Sequence, residues 1–302
     1  MSRRVAAVDQ GTNSTRLLVA DVADGTVTEV ERLLTITRLG DGVDRTGRLS
    51  DESIGRVMST LDGYADAARR GDVEVVLLTA TSAVRDASNG HEFLAEVERR
   101  YGFTTRVLTG DDEARMTFRG VTSARTPDGL VLVADIGGGS TELIAGGPEG
   151  VRWATSLDIG CVRLSERFLT DDPPTDVALA ALREQAASHF PSLAGDARLI
   201  GVAGTITTLA TIDLELDEEV PEIVDGHVLG AETVERELAR LAALPLAERR
   251  QVRGLMPERA PTIVAGAAIL AELLRAAKTS ELTVSERDIL HGAALEAAEL
   301  PR

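Results

Sequence analysis

The chain has 302 residues, room for two domains, and its 43% hydrophobic and 27% charged content is that of an ordinary globular protein. Its 49 acidic and 32 basic residues leave a net charge of −17, which argues against a general binder of nucleic acid or of anionic membranes. The single Cys161 excludes an internal disulfide and a cysteine zinc site; with no signal pattern and no apolar run near the roughly 20 residues that span a bilayer, a cytoplasmic location is expected.

Taken in order, Val5 to Val22 reads as two strands around the turn DQGTNS, and Thr26 to Arg38 as a third, antiparallel strand. Gly40 to Ser50 is a polar loop, after which Ser50-Asp51-Glu52 opens a helix to about Arg70. Val73 to Thr79 is a short apolar run of buried-strand type that delivers the chain to Thr81, Ser82 and Arg85. A helix over Gly90 to Tyr101, a strand over Thr104 to Leu108 and a helix from Thr109 to about residue 124 follow, before Thr126-Pro127-Asp128-Gly129 breaks the pattern. The order then repeats. Val131 to Gly147 is a glycine-rich hairpin, Val151 to Ser156 a strand, and Asp158 to Cys161 leads into a helix to about Phe168. A long helix is expected from Thr175 to about residue 194, a strand over Arg198 to Ala203, and a helix over Ile206 to Asp213. Helices are expected at Gly230 to Leu244, Leu246 to Arg253 and Arg259 to Lys278, then a strand at Glu281 to Val284 and a helix at Glu286 to Leu300.

Three β-type segments followed by βα units, given twice, imply an α/β fold of two pseudo-symmetric domains, 1–125 and 126–302, with a cleft between them. The final helix, about 286–302, is expected to pack back on the first domain. The repeat is visible in the residues. VAAVDQGTNSTRLLVAD and VLVADIGGGSTELIAGG share D-x-G-x-x-S-T-x-L in one register, 126 residues apart.

Phosphate binding needs converging N–H donors and hydroxyls, and glycines let the backbone come close enough to donate. Gly137 to Gly139 with Ser140 and Thr141 supply that set in one turn; Thr12, Asn13 and Ser14, with Arg16 nearby, supply it in the other. A dinucleotide fold would place a helix after the glycines, but Thr141 to Ala145 alternates like a strand and G-x-G-x-x-G is absent. Asp135 and Glu142, one on each arm of the second hairpin, form a hard oxygen pair suited to Mg²⁺, with Mn²⁺ as the alternative. Asp9 either joins them or braces its own turn. Glu113 is the candidate for activating water, although Asp111, Asp112 and Glu113 all sit where carboxylates stabilise a helix start. Arg85 and Arg259 are either cleft cations or surface residues, and His91, His189, His227 and His291 share no metal spacing.

The stretches DQGTNSTRLL, ATSAVRDASNG, TGDDEAR, DIGGGSTEL, GVAGTITTLA and Arg259-Ala260 before an apolar helix together resemble the exopolyphosphatase / guanosine pentaphosphate phosphohydrolase (Ppx/GppA) family. That resemblance implies paired ribonuclease H-like domains of the actin, sugar-kinase and Hsp70 superfamily and release of terminal orthophosphate from inorganic polyphosphate. It makes Glu113 the catalytic residue and Asp135 and Glu142 the Mg²⁺ ligands. Asn13, Arg16, Arg85, Gly138, Gly139, Ser140, Thr141, Gly204, Thr205 and Arg259 fall on its phosphate-binding positions. Pro261 and the segment ERDILHG depart from the family pattern, which often has Asp and Arg-Glu-Gly there. Without the helical domains of longer relatives, a preference for short polyphosphates and low processivity is expected, and a homodimer by family analogy. Rival readings are hydrolysis of guanosine pentaphosphate at the same site, an ATP-dependent sugar kinase, and an actin-like filament or nucleotide switch.

Overall fold

A computed structural model describes residues 2–124, 126–193 and 197–301. Strands β1 (Arg3–Gln10), β2 (Ser14–Ala23) and β3 (Thr26–Ile36) form an antiparallel meander. Then come α1 (Val43–Thr46), α2 (Asp51–Arg70), β4 (Val75–Ala80), α3 (Ser82–Asp86), α4 (Gly90–Tyr101), β5 (Thr104–Val107) and α5 (Gly110–Val121). A second meander of β6 (Val131–Ile136), β7 (Thr141–Gly147) and β8 (Gly150–Leu157) leads to α6 (Cys161–Phe168), α7 (Asp176–His189), β9 (Arg198–Val202) and α8 (Gly204–Asp213). The remainder is α9 (Pro221–Val224), β10 (Val228–Gly230), α10 (Ala231–Ala243), α11 (Leu246–Arg249), a 3₁₀ turn at Pro257–Arg259, α12 (Ile263–Ala276), β11 (Glu281–Val284) and α13 (Ile289–Glu299).

These elements form two units, Met1–Thr126 with Arg287–Arg302, and Pro127–Glu286. The sheet of the first has the order β3-β2-β1-β4-β5, with β1, β4 and β5 parallel. The sheet of the second runs β10-β11-β9-β6-β7-β8, the same arrangement with one short antiparallel strand added at the edge. Each is a ribonuclease H-like α/β unit.

Period-two burial explains the first sheet. Ala6, Val8, Leu17, Val19 and Leu78 point into a core that includes Val57 and Leu61 of α2 and Phe93 of α4. Val5, Ala7, Leu18, Ala20 and Leu77 point the other way, onto Met116 of α5 and Leu290, Ala293 and Ala294 of α13. The two helices on that face approach through glycine: a Cβ on Gly120 would lie 1.8 Å from the Asp288 carbonyl, and one on Gly292 would lie 2.0 Å from that of Met116. In the second unit one core surrounds α12, apolar on nearly every side.

Several expected boundaries shift for local reasons. The loop at Gly40 to Ser50 holds the single turn α1, and the segment after β4 is helical as α3. The long helix α7 stops at His189 because Phe190 precedes Pro191, which disfavours helical geometry at 190. Its expected end at residue 194 and the expected domain boundary at 125 lie outside the described residues. Pro261 lacks an N–H, and α12 begins after it at Ile263 rather than at Arg259. The expected helix from Leu246 to Arg253 is the single turn α11, and α9 and β10 fill a stretch with no expected element. No helix of the described residues is long and apolar enough to cross a membrane.

Candidate active site

In the first unit, the β1–β2 turn is closed by the Gly11 N–H donating to the Ser14 carbonyl at 2.9 Å. Protein donors occupy every carbonyl of this turn. Gly11 accepts from Gln10 Nε2, Thr12 from the Gly40 N–H, and Asn13 from the N–H groups of Thr37 and Arg38. Among the described residues nothing accepts from the N–H groups of Thr12 and Asn13. Thr12 Oγ1 lies 2.9 Å from Ser82 Oγ at the start of α3, and Ser14 begins β2 half-buried.

Asp9 and Arg16 face each other across the β1–β2 ladder and form an ion pair at 2.7 Å. Arg16 also pairs with Asp288, the N-cap of α13, so this guanidinium is already engaged by two carboxylates. Asp9 Oδ1 is buried without a hydrogen-bond partner, and burial pushes the carboxyl above its usual range against the pull of Arg16. Burial acts the same way on Asp288, but Arg16, His291 and Arg32 outweigh it and hold that carboxyl far below the usual range.

The three acids at the start of α5 divide their work. Asp112 completes a capping box with Thr109, and Asp111 pairs with Arg115 one turn on at 2.7 Å. Glu113, 7% exposed, turns inward toward Arg85, whose Nη1 lies 3.4 Å from its Oε2 and donates to the Leu108 carbonyl at 2.9 Å. Helix capping therefore does not account for Glu113.

In the second unit the β6–β7 turn repeats the first. The Gly137 N–H donates to the Ser140 carbonyl at 3.0 Å. The carbonyls of Gly137 and Gly138 accept from the N–H groups of Cys161, Val162 and Arg163 at the start of α6, and that of Gly139 from Arg163 Nε. Gly160 permits this approach, since a Cβ there would lie 2.3 Å from the Gly138 oxygen. Among the described residues nothing accepts from the N–H groups of Gly138, Gly139 and Ser140. With carbonyls turned inward and amides left over, the turn has the polarity of an anion site. The Thr141 hydroxyl is used internally, donating to the Ile159 carbonyl at 2.7 Å.

Asp135 and Glu142 are direct cross-strand partners, so both side chains leave the same face of the ladder. They are 7% and 1% exposed, and Glu142 Oε1 accepts from Ser156 Oγ at 2.7 Å. No group of three or more His, Cys, Asp or Glu among the described residues could hold a metal. A pair of carboxylates fits an ion that takes the rest of its shell from water and phosphate oxygens, as Mg²⁺ does.

Gly204 and Thr205 open α8 after Ala203, a non-glycine residue held at φ 73°. The buried Arg259 guanidinium lies on Gly204 and donates to its carbonyl at 2.9 Å. Cys161 joins this set to the glycine turn. Its N–H meets the Gly137 carbonyl, its thiol meets Thr205 and Thr262, and burial pushes the thiol up.

The candidates thus fall into groups within each unit: Asp9 with Thr12 to Arg16 and Glu113 with Arg85 in the first, Asp135 and Glu142 with Gly138 to Thr141, and Gly204 and Thr205 with Arg259, in the second. Sequence reasoning missed Asp288, Ser156, Arg163 and Glu219. Only Asp288 had a local signal, as an N-cap before the apolar run ILHGAALEAA.

Residues 18–299 match the model of the Ppx/GppA phosphatase family. Exopolyphosphatase 2 of Mycobacterium tuberculosis is 38% identical over 98% of this chain and 98% of its own length. Among solved structures, an exopolyphosphatase-like protein superposes with a TM-score of 0.91 at 36% identity, covering 98% of this chain and 97% of the other. The Aquifex aeolicus Ppx/GppA family member superposes with a TM-score of 0.82 at 32% identity, covering 99% and 98%.

Proposed function

The chain belongs to the Ppx/GppA phosphatase family, and on that premise we propose that it is an exopolyphosphatase releasing terminal orthophosphate from inorganic polyphosphate. The observation that carries the reading is the polarity of the two turns: their carbonyls are consumed by the protein, while among the described residues nothing accepts from the amides of Thr12, Asn13, Gly138, Gly139 and Ser140. An acidic protein needs such local donors to attract a polyanion, because its overall field repels one. The curated relative named exopolyphosphatase supports this substrate class.

In this reading the N–H groups of Gly138, Gly139 and Ser140, with those of Thr12 and Asn13, bind phosphate oxygens. Ser14 in the first unit, and Gly204, Thr205 and Arg259 in the second, also bind phosphate oxygens in this reading. Asp135 and Glu142 would hold a divalent ion, Mg²⁺ or Mn²⁺, which when bound neutralises charge on the terminal phosphoryl group. Glu113 orients a water molecule and accepts its proton as the oxygen attacks phosphorus and the P–O bond to the rest of the chain breaks. Arg85 fixes the Glu113 carboxylate and offers a cation to the phosphate.

Purified protein with Mg²⁺ is offered short polyphosphate, long polyphosphate, guanosine pentaphosphate and ATP, and orthophosphate release is followed. Release from polyphosphate well above that from the others is expected. Release from guanosine pentaphosphate alone would replace the substrate assignment with the other activity of the family.

A further inference from the structure

Arg259 is held in an unusually directional way. Three acceptors meet its Nη1: the Gly204 carbonyl at 2.9 Å, Thr208 Oγ1 at 2.7 Å and Glu219 Oε2 at 3.2 Å. Among the described residues nothing accepts from its Nε or Nη2, and neither atom is among the buried polar atoms without partners, so that edge reaches solvent. A guanidinium binds phosphate best through two parallel N–H groups, and the Nε–Nη2 edge is such a pair. It lies beside Gly204, where α8 begins and its first N–H groups have no helical acceptor.

Glu219 sets this orientation from a constrained loop. Its Oε2 also accepts from Thr207 Oγ1 at 2.7 Å, which ties the carboxylate to α8 itself. The loop leaves α8 through Glu215, held at φ 54°, and the Leu216 N–H returns to the Thr211 carbonyl at 3.1 Å. The neighbouring acids Glu215, Asp217 and Glu218 are exposed, while the Glu219 side chain is 29% exposed.

We propose that Glu219 is a positioning residue for the Arg259 phosphate subsite, with two separable effects. Its oxygen anchors Nη1, so the free edge of the guanidinium faces an incoming phosphate. Its negative charge offsets that of Arg259 and weakens the hold on orthophosphate, which lets product leave. The proposal rests on the reading of Arg259 as a phosphate-binding residue.

The charge and the anchor separate in two substitutions. Glu219→Gln keeps an acceptor for Nη1 and Thr207 but removes the charge; Glu219→Ala removes both. Titration calorimetry of the full-length protein with orthophosphate, and separately with tripolyphosphate, should show Glu219→Gln binding about fivefold tighter and Glu219→Ala binding more weakly than the parent. Damage to the fold would weaken both, so tighter binding is not a structural artefact, and urea unfolding of each variant confirms folding. Affinities of both variants within twofold of the parent, while Arg259→Gln weakens binding, would overturn the role of Glu219 and leave the Arg259 subsite standing. If Arg259→Gln also binds unchanged, the subsite itself is wrong.

Discussion

Glu142 occupies in the second hairpin the rung that Arg16 occupies in the first: each stands directly across a ladder from an aspartate, Asp135 in one case and Asp9 in the other. One rung is therefore an acid pair and the other an ion pair. In the first hairpin Arg16 supplies the cation that faces Asp9. In the proposed reading Asp135 and Glu142 hold the divalent ion, and Asp9 keeps one buried oxygen without a hydrogen-bond partner.

Asp135→Asn and Glu142→Gln should each lower Mn²⁺ affinity at least about tenfold, read by electron paramagnetic resonance titration without substrate. Ser156→Ala, which removes the hydroxyl donated to Glu142, should lower it by a similar factor. Unchanged affinity in Glu142→Gln would remove the metal from this hairpin.

Glu113→Gln should reduce orthophosphate release by about 10²- to 10⁴-fold while leaving polyphosphate binding nearly intact. Arg85→Gln should weaken both binding and turnover if, as proposed, Arg85 offers charge to the substrate besides bracing Glu113. Turnover within a few-fold of the parent in Glu113→Gln would assign water activation elsewhere.

Stability should depend on pH through His291. Burial alone would pull this imidazole down, but hydrogen bonds and charge from Asp288 and Glu29 outweigh burial and raise it. A group raised on folding stabilises fully below its unfolded value of about 6.5, and the contribution fades as pH rises through the folded value. Asp288, depressed on folding, contributes above about 3.9 and loses its effect only in strong acid. The midpoint of urea unfolding should therefore fall between pH 6 and pH 9, and His291→Gln should flatten that decline. A parent midpoint constant over this range would contradict the assignment.

What could be read in the sequence was what is local. Ser50 and Thr109 cap α2 and α5 by hydrogen bonds three residues away, so both helix starts were legible. The paired turns were legible because one register recurs in both. The pairing of Arg16 with Asp288 spans 272 residues, and Glu219 reaches Arg259 from 40 residues away; no periodicity carries either. The start of α12 at Ile263 differs from the expected Arg259 although its cause, Pro261, is local, because the apolar run alone does not mark where the missing N–H interrupts the helix.

Gly120→Ala or Gly292→Ala should destabilise the protein by about 3 kcal/mol, because each new methyl group would meet a backbone carbonyl rather than a side chain that can turn away. Separation of α5 from α13 should also lower activity through Glu113, seven residues before Gly120 on the same helix. Equilibrium unfolding in urea together with orthophosphate release checks both effects.

The position of α13 also bears on how the protein is made. The first unit takes this helix from residues that follow the whole of the second unit in the chain. During translation, β1, β2 and β4 emerge early, yet the apolar face formed by Val5, Leu18 and Leu77 lacks Leu290 and Ala294 until synthesis reaches them. The second unit has all its strands and its own core encoded before that helix. The residues synthesised first thus wait longest for a complete core, and a ribosome stalled before Asp288 would release a chain with that apolar face uncovered and Arg16 without its second carboxylate.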